Sequence, residues 1–259
     1  MKPDYKNWMP KGMVYSFLFA FLGCGVAAAA FFLTLNGTLK TVLTIAFGVI
    51  AVAFCGLTIW AFCMYRAFDY NGNRQMARQI IEGTAAYVKL PQGGKCLDVG
   101  CGSGALGIAV GKMNPEAEII GIDRWGKEYA SFSKGLCESN AKAEGVTRVT
   151  FQQGDATHLD FPDETFDAVV SNYVYHNIPG KRQQYLLETL RTLKKGGTFA
   201  LHDIFSRSKY GDMQAFVQKL KAMGYQQVEL IDTTDGKFMK KSEAAWMGLS
   251  GSALLTGRK

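Results

Sequence analysis

Asp98, Asp123, Asp155 and His176 each stand just past a short apolar run, where a side chain can meet a ligand at the end of a strand. Carboxylates at such tips accept hydrogen bonds from hydroxyl, amino or ammonium groups, and an imidazole there titrates near neutral pH. The element that must position the first acid is Cys96-Leu97-Asp98-Val99-Gly100-Cys101-Gly102-Ser103-Gly104-Ala105-Leu106-Gly107. It reads as a buried strand, a glycine-rich turn and a helix start. Gly100, Gly102 and Gly104 alternate, so the backbone can turn tightly and a ligand can lie against it without Cβ atoms between them. The helix beginning near Ala105 points its first N–H groups back at that ligand. An acid at Asp98 suits a ligand carrying a cation or hydroxyls better than a bare pyrophosphate.

Two readings of this loop stand side by side. Gly102 to Gly107 spells G-x-G-x-x-G, and Asp123 lies 19 residues past Gly104, near the spacing of a ribose-binding acid in dinucleotide-binding domains. An NAD-dependent oxidoreductase is therefore one candidate. The other rests on Asp98-x-Gly100-x-Gly102-x-Gly104, which resembles motif I of the class I S-adenosylmethionine-dependent methyltransferases. A second block favours the latter: Gly154-Asp155-Ala156, then Asp163-Glu164-Thr165-Phe166-Asp167-Ala168-Val169-Val170-Ser171. It is similar to the family pattern of an acid after strand three and a Phe-Asp pair opening strand four.

The resemblance covers residues 74–259. It implies an α/β fold: a doubly wound, mostly parallel, seven-stranded Rossmann-like sheet with an antiparallel last strand. It also implies S-adenosylmethionine as cofactor and S-adenosylhomocysteine as product. By it, the cofactor lies against Asp98, Gly100, Cys101, Gly102, Gly104, Asp123, Arg124, Asp155, Ala156 and Asn172, with Asp155 receiving the adenine amino group beside the Ala156 N–H. Plainer readings stand next to these: Asp123 as a helix cap and Asp155 as a turn residue making an Asx bond.

Asn172 is followed by Tyr173-Val174, not by the Pro-Pro-aromatic signature of amino-group methyltransferases, so exocyclic base amines are disfavoured as acceptors. His176 is the candidate catalytic residue, a general base for an acceptor that must lose a proton; a structural histidine beside the cofactor is the alternative. Asp203 is placed to hold substrate, His202 to point into packing, and His158 to sit in a solvated loop. No metal site is expected: the six cysteines are scattered, none forms C-x-x-C, and all read as free thiols.

The net charge of +7 divides unevenly. Residues 1–66 carry five Lys/Arg and one acid at the ends of long apolar runs, whereas residues 67–259 are only mildly basic. No nucleic-acid partner follows from such a balance. Residues 13–35 and 41–65 are uncharged and longer than the roughly 20 residues that cross a bilayer core. Residues 1–66 are thus expected to form a transmembrane hairpin, with residues 67–259 as the methyltransferase domain. Lys2, Lys6, Lys11, Arg66, Arg74 and Arg78 flank it, against Lys40 alone in the turn, so both termini and the domain are expected on the cytoplasmic side. Gly23, Gly25 and Ala27 to Ala30 offer small surfaces for contact within the hairpin or for a homodimer. An anchor of this kind, with membrane lipids as neighbours, suits a small lipophilic acceptor. A non-catalytic sensor or scaffold that binds the cofactor is an alternative.

Boundaries of the other elements follow from periodicity and turn residues. Helices are expected over residues 74–88, 125–144 and 181–193, with strands over 117–122, 147–152, 198–204, 225–231 and 249–258. Lys194-Lys195-Gly196-Gly197 reads as the turn before strand five, and residues 232–248 as a variable loop with a short helix.

Overall fold

A computed structural model describes residues 2–126 and 131–259. The chain forms two compact units, one of residues 7–77 and one joining the segment up to Lys6 with Arg78–Lys259. The expected division at 66/67 therefore moves, because the first helical pair runs to Phe68 and because Asp4 and Tyr5 bond to residues of the larger unit.

The smaller unit is a hairpin of α1 (Lys11–Thr34) and α2 (Gly37–Phe68). Both helices are long and apolar enough to cross a membrane. The turn between them is only Leu35-Asn36, shorter than expected, since Gly37 to Lys40 already wind into α2. Phe31 packs edge-on against Phe47, and Asn7 Nδ2 donates to Tyr65 O at the open end. A Cβ added at Gly23 or Gly25 meets no atom within 4 Å, so these glycines do not set the α1–α2 contact. Large apolar side chains such as Phe19, Val26, Leu33 and Val52 stay exposed on the hairpin. Helices that are apolar all round have no aqueous face.

The larger unit resumes at Arg78 within α3 (Met76–Ala85), which leads to β1 (Lys95–Val99), the glycine loop and α4 (Ala105–Met113). β2 (Glu118–Asp123), α5 (Lys134–Ala143), β3 (Val149–Gln153), β4 (Phe166–Asn172) and α6 (Arg182–Arg191) follow. β5 (Leu193–Ile204), α7 (Arg207–Tyr210), α8 (Met213–Ala222), β6 (Gln226–Asp232), α9 (Lys241–Trp246) and β7 (Ser252–Arg258) complete it. The sheet order is β3-β2-β1-β4-β5-β7-β6, with β1 to β5 parallel and β7 antiparallel to both β5 and β6. The inner strands are continuous apolar runs because helices cover both faces of a parallel sheet: Leu97, Val99, Val169, Phe199 and Leu201 are all buried. Each contributes roughly 1.5–3 kcal/mol on burial.

The order of strands reverses at the β1/β4 pair, where Val99 lies beside Ser171 and the Ser171 hydroxyl donates to Val99 O at 2.8 Å. Ligands of open α/β sheets sit in the crevice beyond such a reversal. The loops after β1 and β4, which carry the residues singled out above, are brought to this point.

Two expected elements differ. The helix expected from Trp125 begins only at Lys134, capped by Ser133 Oγ accepting from Leu136 N. Trp125 itself adopts φ +44°, in the left-handed region that no helix continues through, and residues 127–130 of that expected helix lie outside the described residues. The Lys194-Lys195-Gly196-Gly197 turn is instead part of β5, an irregularity between the Phe166–Leu193 and Ala168–Thr198 pairs, with Gly196 N donating to Lys259 O. The remaining differences are shifts of a few residues at element ends.

Candidate active site

The glycine loop is pinned from several sides. Gly100 N and Cys101 N both donate to Ile122 O, at 2.8 and 2.9 Å, which ties the start of the loop to β2. Gly104 adopts φ +81° at the cap of α4, so the chain turns there in a conformation that L side chains avoid. At Gly100, with φ +72°, an added Cβ would come within 2.3 Å of Val174 Cγ2 on the loop after β4. Gly100→Ala is therefore expected to combine backbone strain with a clash and to lower stability by about 2–5 kcal/mol. A thermal melt of the variant checks this; an unchanged midpoint would show that the loop has room to spare.

Asp98 lies under this loop, 1 % exposed. Its Oδ2 accepts from Gly107 N at 2.8 Å, whereas its Oδ1 is buried with no hydrogen-bond partner. Burial, chiefly, pushes the carboxyl up to about 7, against the pull of the Gly107 N–H. A buried carboxylate oxygen left over in this way fits an ammonium or other donor supplied by a ligand.

Asp123 closes β2 onto the same loop: Oδ2 accepts from Gly102 N at 2.9 Å and Oδ1 from Trp125 N at 2.7 Å. Trp125 Nε1 returns a bond to Gly102 O. Two of the roughly four acceptor positions of the carboxylate are thus used, and the others suit a diol. Asp155 makes the Asx turn, its Oδ1 accepting from Thr157 N and Thr157 Oγ1, which holds its pKa below the ordinary carboxylate value. Its Oδ2 has no hydrogen bond among the described residues, and Arg124 lies close enough to act on its charge. The three acids stand at or just past the last residues of β1, β2 and β3, neighbours in the sheet, and so spread over about 10 Å, the scale of a nucleoside with a short tail. Gly102, Cys101 and Ala156 belong to these same loops.

The loop after β4 builds the other half. Tyr173 is held at φ +55°, a strained conformation for a non-glycine residue, by Tyr173 N donating to His202 O and by a 2.8 Å contact of its hydroxyl with Ser252 Oγ. A single helical turn, Tyr175–Asn177, follows and presents His176. His176 Nδ1 lies 2.5 Å from Asp203 Oδ1. Asp203 is buried, and its Oδ2 accepts from Tyr175 N, His176 N and Tyr210 Oη. The carboxylate therefore holds the proton of the imidazole on Nδ1 and leaves Nε2 as the acceptor. Arg182 Nη2 and Lys209 Nζ both donate to His176 O, fixing the backbone of the turn.

This pairing was not legible in the sequence. Asp203, expected to hold substrate, stands behind His176 instead, because β5 lies beside β4 and brings the two residues together across the sheet. The only signal was an acid at the far end of a strand. His202 is packed as expected: Nδ1 lies 2.8 Å from Asn172 Oδ1 and Nε2 2.9 Å from Thr233 Oγ1, with its pKa pushed down to about 3 by burial. The Asn172 side chain, expected against the cofactor, is thereby engaged in a buried network. His158 is exposed in its loop. A separate groove of about 560 Å³, lined by Leu187, Arg191, Lys195, Met223, Tyr225 and Lys259, lies at the opposite edge of the sheet from these residues.

A sheet of this order, with a glycine loop after β1 and acids after β2 and β3, defines the Rossmann-like class of methyltransferase folds. The sequence family described as a methyltransferase domain matches residues 90–247, and the chain belongs to it. It is 35% identical over 112 residues to the uncharacterized methyltransferase YcgJ of Bacillus subtilis, covering 43% of this chain and 41% of that protein. It is 34% identical over 111 residues to a demethylmenaquinone methyltransferase of Lactobacillus johnsonii, covering 42% and 43%. The chain thus spans about two fifths of the length of these two relatives. Among solved structures, the [4+2]-cyclase SpnF superposes with a TM-score of 0.55 at 22% identity, covering 74% of this chain and 85% of that one, which shows the fold.

Proposed function

We propose that this protein is a membrane-anchored methyltransferase that moves a methyl group from S-adenosylmethionine to a small lipophilic acceptor at the cytoplasmic face. The observation that carries the reading is the His176–Asp203 pair, at the same sheet edge as the orphaned Asp98 carboxylate. The residues present fit the cofactor: Asp98 Oδ1 for its ammonium, Asp123 for its ribose diol, Asp155 for its adenine amino group. Bound there, S-adenosylmethionine supplies a methyl group on a sulfonium, already a good leaving group. The protein then has to hold the acceptor in line with that methyl, which is worth on the order of 7–11 kcal/mol. His176 Nε2 takes the proton of a hydroxyl or enol acceptor, and Asp203 stabilises the imidazolium that results. The Tyr173 ring, which also meets the His176 imidazole edge-on at 5.9 Å, suits a planar apolar acceptor. The relation to a demethylmenaquinone methyltransferase supports an acceptor of quinol type.

The anchor is read as concentrating acceptor and enzyme in one membrane. Deletion of α1 and α2, with a flexible polar linker joining residues 2–6 to the larger unit and S-adenosylmethionine saturating, is expected to lower the rate on a quinol embedded in vesicles at least tenfold while sparing a water-soluble analogue. Equal rates on both acceptors, before and after deletion, would remove the anchor from substrate delivery.

A further inference from the structure

Residues 2–6, ahead of α1, belong to the larger unit, and one buried side chain connects them to the glycine loop. Asn140, on α5, is 2% exposed. Its Oδ1 accepts from Asp4 N at 2.7 Å, and its Nδ2 donates to Asp4 O and to Ser103 O, both at 3.0 Å. Ser103 is the buried residue between Gly102 and Gly104. One turn earlier on α5, Cys137 Sγ donates to Gly102 O at 3.2 Å, so successive loop carbonyls are held from one face of this helix. Tyr5 is buried beside it, with Tyr5 Oη donating to Glu144 Oε1, and Lys112 of α4 binds the other oxygen of Glu144. Asp4 turns the chain, accepting from Lys6 N while Lys6 adopts φ +56°.

We propose that residues 2–6 clamp the cofactor loop, with Asn140 as the positioning residue that carries the effect. A primary amide has a carbonyl oxygen and two N–H groups; here the oxygen and the nitrogen serve the N-terminal segment while the nitrogen also fixes the loop. When the segment leaves, Asn140 keeps its bond to Ser103 only as a free rotor beside a newly exposed Tyr5 site. The loop then samples more conformations before ligand arrives, and affinity falls by the fraction of loops that are competent. Linkage makes the effect reciprocal: bound cofactor holds the segment in place. The chain runs from Lys6 directly into the smaller unit, so the ordering of the cofactor loop depends on residues that adjoin the apolar hairpin in sequence. The proposal rests on the reading of the glycine loop as the cofactor site.

The test uses the full chain in lipid nanodiscs, with S-adenosylhomocysteine as the calorimetric probe. Deleting residues 2–5, or Asn140→Ala, is expected to raise Kd about three- to tenfold, the scale of one or two lost hydrogen bonds. In the doubly altered chain the two effects should not multiply, because both act through the same side chain. Tyr5→Phe, which leaves Asn140 intact, should produce a smaller shift in the same direction. In turnover the deletion should raise KM for S-adenosylmethionine and leave kcat at saturation unchanged, a split that general destabilisation does not give. Wild-type Kd in the folded deletion variant, or multiplying effects in the double variant, would overturn the clamp while leaving the cofactor reading intact. A wild-type chain that does not bind S-adenosylhomocysteine would overturn both.

Discussion

Asp98→Asn is expected to weaken S-adenosylhomocysteine binding about ten- to a hundredfold while raising the melting temperature of the empty protein above pH 7. The two signs come from one fact. Asp98 Oδ1 is buried without a partner, and burial raises the carboxyl to about 7. With ligand absent, ionisation of this group works against the fold. Its folded pKa lies above the usual 3.8, so the stability that it contributes is present in acid and is lost as pH rises through about 7. Asparagine retains an acceptor for Gly107 N and removes the charge, so the empty domain gains a few degrees under alkaline conditions. With ligand present, the carboxylate meets an ammonium, and a charge-assisted bond in a buried site is worth about 1.5–3 kcal/mol. Affinity of the wild type should therefore rise with pH between about 6 and 8, and the asparagine variant should lose that slope. Calorimetry and thermal melts across this range check both signs; a variant with wild-type affinity would place the ligand's cation elsewhere.

The second large effect is at His176. His176→Ala is expected to lower kcat on a hydroxyl or enol acceptor about 10²–10⁴-fold, the usual contribution of a positioned general base, with Kd for S-adenosylhomocysteine unchanged. Asp203→Asn should reduce kcat in the same direction, because the amide no longer holds the imidazole proton on Nδ1 in the orientation the carboxylate imposes. It should also lower stability, since the Asp203 carboxylate accepts from Tyr175 N and Tyr210 Oη in a buried site. His176→Ala leaves those bonds to be made, so loss of rate without loss of stability separates the catalytic residue from its partner. An unchanged kcat in His176→Ala would remove the histidine from the reaction.

Much of the glycine loop and of the acids at the tips of β1 to β3 was legible in the sequence, because the information is local. Alternating glycines, an acid two residues before them and an acid at each following strand tip are written within short stretches, and the turns they demand leave few alternatives. The surroundings of His176 were less so. Asp203 meets His176 only because β4 and β5 are neighbours, and no spacing in the chain announces a pairing made across a sheet. Local signals also misled where tertiary contacts won. Gly196-Gly197 looks like a turn, but Lys259 bonds its backbone and β5 runs through it. The long apolar-periodic stretch after Asp123 looks helical from Trp125, but the Asp123 carboxylate takes the Trp125 N–H and bends the chain into the left-handed region. The segment before α1 read as a basic membrane flank, and its bonds to Asn140 could be found only in three dimensions.

The central claim is that Asp98, Asp123 and Asp155 together hold one adenosyl amino acid. Titration of the full chain with S-adenosylhomocysteine at pH 7, repeated in buffers of different ionisation enthalpy and with NAD as the competitor, tests it most directly. The account predicts one site per chain, release of about half a proton as Asp98 ionises against the ligand's ammonium, and no displacement by NAD. Binding without proton release, or displacement by NAD, would contradict it.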